Sequence, residues 1–126
     1  MITEQYVGFN TAKMLKEAGF DVSCDKWYGE EGFFMSGNYK SCKCPTQQLA
    51  ARWLREVHGI VVDVVFEPPK RGKDWRYFIG NMDDMAWVGD FVPSDGRYDT
   101  YEEAMEGALQ EALRLIIKNK DNEQRN

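Results

Sequence analysis

The sequence predicts an α+β fold: a three-stranded antiparallel sheet with two helices on one face, in the order α-β-β-β-α, plus an N-terminal helix-hairpin. Two observations predict the module of residues 45–118. Residues 45–67 change from an amphipathic helical pattern, through a glycine, to an alternating run rich in β-branched residues. Residues 100–103, Thr-Tyr-Glu-Glu, form a capping box that begins a second amphipathic helix.

The first 44 residues predict a helix followed by an irregular hairpin. Ala12, Leu15 and Ala18 recur at near-helical spacing, and Gly19 stands where a helix can end in a left-handed residue. We therefore expect a helix over about residues 8–18. The segment from 21 to 44 is rich in aromatic residues and glycines, which is typical of a short irregular hairpin.

The helix of the 45–67 segment can begin at Pro45 or Thr46 and end at Gly59. Its apolar positions share one face. They are Leu49, Ala50, Trp53, Leu54 and Val57.

Three strands are expected between the two helices of the module. Residues 60–67 alternate, and because both faces carry apolar residues we expect an inner strand. A polar loop leads to a partner strand over 75–80, and 85–92 supplies the third strand. The last helix is expected to run to about Lys118, and the apolar-free residues 119–126 are expected to fray.

The composition is that of one cytoplasmic domain spanning residues 1–126. The length lies near the modal domain size, and 43% of the residues are hydrophobic. Three cysteines are too few, and odd in number, for a disulfide framework. The sequence has no leader-like start and no apolar run long enough to span a bilayer, so we expect no membrane partner.

The negative charge is concentrated in the last third of the chain. The net charge is −5, and residues 81–126 carry eleven Asp/Glu against five Lys/Arg. Polyanion binding requires clustered basic residues, so nucleic acid is a disfavoured partner and a basic protein partner is favoured. The acidic face of the last helix, Glu102, Glu103 and Glu106, is one candidate partner surface.

An aromatic segment is the other candidate partner surface. It contains Trp27, Tyr28, Phe33 and Phe34. These side chains can form an exposed patch for a partner, or they can fold over the sheet as core, since aromatic residues dominate core burial.

The sequence predicts no catalytic residue, no cofactor and no bound metal. Cys24, Cys42, Cys44 and His58 formally offer three thiols and an imidazole to zinc, which leaves a small zinc or thiol protein as an alternative. The Cys42-x-Cys44 spacing does not suit a zinc knuckle, and His58 stands at a helix end. The sequence leaves open whether these four side chains approach one another.

Nucleic-acid binding is a further alternative, which rests on topology. The order helix-strand-strand-strand-helix from residue 45 resembles double-stranded RNA-binding domains, in which the loop between the first two strands enters a minor groove. The matching loop here carries Lys70, Arg71 and Lys73, with Arg76 just beyond. That family grips phosphates with lysines at the start of its final helix, where this chain has Thr100 to Glu103.

Three segments together resemble a family of small uncharacterised proteins encoded in gut Bacteroidetes and their phages or prophages. They are PTQQLAARWLREVHGI, TYEEAMEGALQEALRLI and AKMLKEAGF. The resemblance covers most of the chain and brings no catalytic residue. It implies a cytoplasmic accessory protein of a mobile element that acts by interaction rather than catalysis. The strands followed by T-Y-E-E-A and an alanine-rich helix also resemble HicB-like antitoxins.

Overall fold

The computed structural model describes residues 2–29, 34–36, 42–68, 72–82, 86–87 and 97–125. Within these ranges the chain forms three helices and two small antiparallel sheets, which confirms the α+β class. Of the predicted contact residues, Phe33, Lys70 and Arg71 lie outside the described ranges, and Phe34 is described only as backbone.

Helix α1 spans Phe9–Ala18, as its spacing predicts. Its buried face is Thr11, Ala12, Leu15 and Ala18. Gly19 closes it at φ 95°, a left-handed conformation that costs glycine little. The Phe20 amide then donates to the Leu15 carbonyl at 2.9 Å, and the buried Phe20 ring meets Trp53 of the next helix.

Helix α2 spans Gln47–His58, with a side-chain cap at its N-terminus and a glycine cap at its C-terminus. The Thr46 hydroxyl accepts from the Leu49 amide at 3.1 Å, and Gly59 ends the helix at φ 66°. Ala50, Trp53 and Leu54 are buried as predicted, whereas Val57 on the same stripe is 61% exposed. The apolar stripe therefore extends beyond the core at the end of the helix.

Strands β4, Ile60–Phe66, and β5, Trp75–Asn81, form the predicted antiparallel hairpin. Tyr77 and Ile79 of β5 are buried with Ile60 of β4, while Val62 and Val64 pack against the same core. This face of the hairpin therefore lies against the helices, and the Asp63 side of β4 lies outward.

Strand β6 is Ala86–Trp87, which pairs with Gly80 and Asn81 of β5. The predicted strand over 85–92 is described only at these two residues, so a third strand of the predicted length is not established. The strand order is β4-β5-β6, with the Trp75–Tyr98 bridge on the β6 side of β5. Among the described strands β5 is central and β4 lies at the edge, so the expectation that residues 60–67 form an inner strand is not met in the described part of the chain.

The N-terminal part of the chain forms a second small sheet of short strands. β1, Lys26–Tyr28, pairs with β2, Phe34–Ser36, as the predicted hairpin requires. It also pairs with β3, Cys42–Lys43, which the sequence did not indicate. A bridge between Tyr6 and Thr46 joins the start of the chain to the start of α2.

Helix α3 spans Tyr101–Arg125 and lies at the centre of the fold. It contacts α1, α2, β4 and β5. Its buried positions recur at helical spacing from Ala104 to Ile116. The helix continues to Arg125 rather than ending near Lys118, because residues 119–125 include good helix formers and no glycine or proline.

Candidate functional site

A cleft of about 500 Å³ opens where the N-terminal segment, Tyr28, the start of α2 and the first turns of α3 meet. We call it the N-terminal cleft. Its lining residues are Gln5, Tyr6, Val7, Gly8, Phe9, Asn10, Tyr28, Gln47, Glu102, Glu103, Glu106 and Gln110. Four of them, Tyr28 and the three glutamates, were predicted as partner-surface residues on two separate segments.

Glu106 organises one wall of the cleft. Its Oε2 accepts from the Gly8 amide at 2.8 Å and from the Thr11 hydroxyl. Its Oε1 accepts from Gln47 Nε2 at 3.0 Å. Gly8 is the N-cap of α1, and the Glu106 carboxylate accepts from its amide, which is the bond that a glutamate at the third helical position makes in a capping box. Its negative charge also suits the positive end of the α1 dipole.

Two glutamine side chains brace this carboxylate. Gln47, only 3% exposed, shares its Nε2 between Glu106 and the Glu102 carbonyl, which is 2.9 Å away. Gln110 Nε2 donates to Thr11 Oγ1 at 3.0 Å. The glutamate, which lies on α3, is thus held by Gly8 and Thr11 at the start of α1 and by Gln47 of α2, and Gln110 supports it through Thr11.

Tyr28 and Cys44 converge on the Val7 carbonyl beside the cleft. The Tyr28 hydroxyl donates to it at 2.8 Å, and the Cys44 thiol at 3.4 Å. Burial raises the pKa of Tyr28 to about 12 and the pKa of Cys44 to about 11. Both groups therefore remain protonated near neutral pH, where Cys44 is a poor nucleophile.

The cleft is acidic at its mouth. Glu102 and Glu103 are exposed in the first turn of α3, and the described lining contains no lysine, arginine or histidine. Both oxygens of Glu106 already accept hydrogen bonds from neutral donors, so the carboxylate oxygens open to a ligand are those of the two exposed glutamates. The arrangement can hold a cationic or hydrogen-bond-donating group, with the aromatic rings of Tyr6, Phe9 and Tyr28 close by.

Trp27 does not line the cleft, although it is adjacent to Tyr28 in β1. Its ring lies 5.8 Å from Lys43 Nζ, across the β1–β3 pair. The structure therefore separates two neighbours of the predicted aromatic patch: Tyr28 faces the cleft, and Trp27 faces a lysine.

The predicted nucleic-acid residues are only partly described. Lys73 is exposed. The Arg76 guanidinium lies over the Phe78 ring, 4.5 Å from its centroid. Its Nε is 3.1 Å from Glu67 Oε2, which is an ion-pair distance. This Nε is buried, and its geometry toward Glu67 does not meet the criteria for a hydrogen bond. Arg97 pairs with the same carboxylate at 2.9 Å. Arg76 is thus already engaged with an anion and a ring of its own sheet.

Cys24 and Cys44 lie close together, because the Cys24 thiol and the Cys44 amide both donate to the Lys26 carbonyl, whereas His58 packs against Trp53. Cys42 and Cys44 are buried, and Cys24 is half-buried with its thiol 3.5 Å from the Lys26 carbonyl. The His58 ring packs edge-on against Trp53, and burial lowers the pKa of its imidazole. Among the described residues, no three side chains of the types that bind metals form a group able to hold an ion.

Sequence reasoning missed the polar residues that shape the cleft, namely Gly8, Thr11, Gln47 and Gln110. One signal could have indicated them. A helix that begins at glycine, with no acidic residue in its first turn, has no local side-chain acceptor for its first amides, which leaves room for an acceptor from elsewhere in the chain.

No protein-family model matches this chain, and no curated protein or solved structure matches it significantly. None of the described helices is long and apolar enough to cross a lipid bilayer.

Proposed function

We propose that the protein is a noncatalytic, cytoplasmic accessory protein of a mobile element that binds a protein partner through the N-terminal cleft. The proposal rests on one observation, which is that the two predicted partner surfaces meet in one cavity. The aromatic and acidic segments, each a candidate partner surface on its own, contribute Tyr28, Glu102 and Glu103 to one cavity. A cavity that combines aromatic rings with exposed carboxylates that form no ion pair among the described residues suits a lysine or arginine side chain.

The preformed hydrogen bonds around the cleft favour specific binding of a partner over non-specific binding. Glu106, Gln47 and Thr11 fix the relative positions of α1, α2 and α3 around the cavity through three hydrogen bonds to one carboxylate. A preformed site loses less conformational entropy on binding. The two exposed glutamates then add attraction that is weakened by salt.

The experiment compares tagged variants as baits during prophage induction in the host. Glu102→Gln with Glu103→Gln removes the mouth charges while keeping side-chain size. Glu17→Gln with Asp121→Asn is the matched control, because both pairs are exposed and each changes the net charge from −5 to −3 by removing two negative charges. A stoichiometric partner should be retained by the wild type and the control and lost from the cleft variant.

The result that would reject the proposal is a partner retained equally by both variants. Recovery of nucleic acid instead of protein would favour the alternative based on Lys70, Arg71, Lys73 and Arg76. That alternative also requires the three-stranded sheet of the double-stranded RNA-binding topology, and it predicts retention that falls steeply with salt. Metal analysis of the purified protein tests the zinc alternative.

A further inference from the structure

Strand β4 leaves a row of backbone hydrogen-bonding groups directed away from the sheet. The Met82 amide donates to the Gly59 carbonyl at 2.8 Å, and the Glu67 amide donates to the Asp74 carbonyl at 2.6 Å. Gly59 and Glu67 are both odd-numbered and both bond to the β5 side, so the odd-numbered residues of β4 direct their backbone groups toward β5. The even-numbered residues therefore direct theirs to the other side.

That other side is an open edge in the described part of the chain. The strand order places β5 on one side of β4 and no described strand on the other. Four amides and four carbonyls, those of Ile60, Val62, Val64 and Phe66, point to this edge, and no described group hydrogen-bonds to them. Such a row is a template for one more strand, since only extended backbone matches its spacing.

Two exposed apolar side chains flank β4 along the chain. Phe66, the last residue of β4, is 57% exposed. Val57, at the end of α2 that leads into β4, is 61% exposed although it belongs to the buried stripe of that helix. An added strand with apolar residues gains contact with these positions as well as backbone hydrogen bonds. The row ends naturally at Pro68, which has no amide hydrogen.

The charge on β4 decides which strand fits. Residues 60–66, Ile-Val-Val-Asp-Val-Val-Phe, have the same polarity read in either direction, with Asp63 at the centre. An antiparallel second copy in the register that uses all four even residues would match every apolar position but place Asp63 against its own counterpart. Like charges directly opposite each other destabilise a strand pair, whereas opposite charges stabilise it.

We propose that the open edge of β4 binds an extended segment of a partner protein that carries a lysine or arginine between apolar residues, with the cation opposite Asp63. Asp63 is exposed on the outward face of the sheet, so the pair forms at the surface. The central aspartate rejects a second copy and selects a basic strand. This surface shares no residue with the N-terminal cleft and does not depend on it.

The test uses two labelled peptides and fluorescence anisotropy. Both cover residues 59–67 with a polar solubilising tail; one keeps the natural sequence and the other carries Asp63→Lys. We expect the lysine peptide to bind the wild-type protein about tenfold more tightly than the natural peptide, from replacing a repulsive cross-strand pair by an attractive one. The protein variant Asp63→Lys should reverse this preference.

Val64→Pro is the blocking variant. The Val64 amide is not part of the β4–β5 ladder, so proline there leaves the hairpin bonds intact while removing an edge donor. We expect it to abolish binding of both peptides while the circular dichroism spectrum stays native. Asp63→Lys, at an exposed position, provides an independent readout if Val64→Pro unfolds the protein.

Three outcomes would overturn the proposal: no binding of the lysine peptide, a preference that Asp63→Lys does not reverse, or binding that a folded Val64→Pro variant retains. Sedimentation adds a fourth. A wild-type dimer that Val64→Pro dissociates would make a second copy the occupant of the edge. The Glu102→Gln, Glu103→Gln variant should bind the peptides as the wild type does, so this test and the test of the cleft can fail separately.

Discussion

Glu106 connects parts of the chain that are distant in sequence. Its carboxylate reaches Gly8 and Thr11 near the start of the chain and Gln47 at the start of α2. Hydrogen bonds to a charged acceptor are stronger than neutral ones, and removing the acceptor leaves partly buried donors without a partner. The residue therefore contributes to stability more than a half-buried surface glutamate ordinarily would.

We expect Glu106→Ala to lower the free energy of unfolding by about 2–3 kcal/mol, because several hydrogen bonds to one carboxylate are lost together. Urea denaturation followed by circular dichroism measures this change. Glu102→Ala is the control, since that side chain is exposed, and it should cost less than about 0.5 kcal/mol. Equal effects of the two substitutions would contradict the capping role of Glu106.

The buried Cys44 and Tyr28 predict a loss of stability at alkaline pH. Folding raises the pKa of Cys44 from 9.0 to about 11 and that of Tyr28 from 10.0 to about 12, chiefly through desolvation. The unfolded chain loses these protons first, so it binds fewer protons than the folded chain above pH 9. The contribution of these groups is therefore fully present below pH 9 and is lost as pH rises toward 12.

Urea midpoints measured from pH 7 to 11 test this expectation. The midpoint should fall above pH 9, and Cys44→Ala should show a shallower fall between pH 9 and 11 than the wild type. A midpoint that is flat over this range in the wild type would show that neither group is perturbed by folding.

At the residue scale, the sequence indicated which side chains are available for a partner but not how they meet. Tyr28 was named for its aromatic segment, and Glu102 and Glu103 for the acidic start of α3. Their meeting in one cavity depends on α1 packing against both β3 and α3, which no local pattern encodes. The role of Gln47 was not predicted because its hydrogen-bond partners, Glu102 and Glu106, are far from it in the sequence.

The helices are the elements that the sequence predicts best. Each has a cap that local chemistry fixes: Gly19 for α1, Thr46 and Gly59 for α2, and Thr100 for α3. The Glu103 amide donates to Thr100 Oγ1 at 3.1 Å, which is one half of the predicted capping box. Such signals lie within a few residues and do not depend on the rest of the fold.

We expect Thr100→Ala to lower the free energy of unfolding by about 1 kcal/mol, because an amide at the start of α3 loses its acceptor. Thr46→Ala is the matched comparison, as its hydroxyl accepts from the Leu49 amide at the same distance of 3.1 Å. Thr100→Ser should restore most of the loss. Chemical denaturation of the three variants measures the effect, and an unchanged stability for Thr100→Ala would contradict the cap.

The strands were predicted less well, for two physical reasons. β1, β2 and β3 have two or three residues each, too few for an alternating pattern to emerge. The place of β4 in the sheet was misjudged because Val61 and Val65 on its outward face suggested burial on both sides. Strand order depends on pairing partners, and the Trp75–Tyr98 bridge shows that the far side of β5 is used instead.

Across the whole molecule, stability is concentrated where α3 runs through the core. Its buried positions extend from Ala104 to Ile116, and from Lys118 to Asn122 the helix is exposed. Beyond Lys118 one described tertiary hydrogen bond remains, from Lys120 Nζ to the Glu17 carbonyl at 3.3 Å, and it is exposed. The last turns are therefore helical without being part of the core.

Deleting residues 119–126 should change the free energy of unfolding by less than about 1 kcal/mol, since surface changes away from packed groups have small effects. Deleting 116–126 is the comparison. It removes the buried Ile116, and large-to-small losses in a core cost about 2–5 kcal/mol. Thermal unfolding of the two truncated chains tests the difference, and a large loss from the shorter deletion would show that the tail is packed.

The contact between Gly8 and Glu106 also sets an order of events during protein synthesis. The acceptor for the Gly8 amide is 98 residues away, on α3. The first helix therefore leaves the ribosome long before the residue that caps it, and a nascent chain halted before residue 106 holds α1 without its acceptor. We infer that the first quarter of this sequence reaches its native form only after residue 106 has been translated.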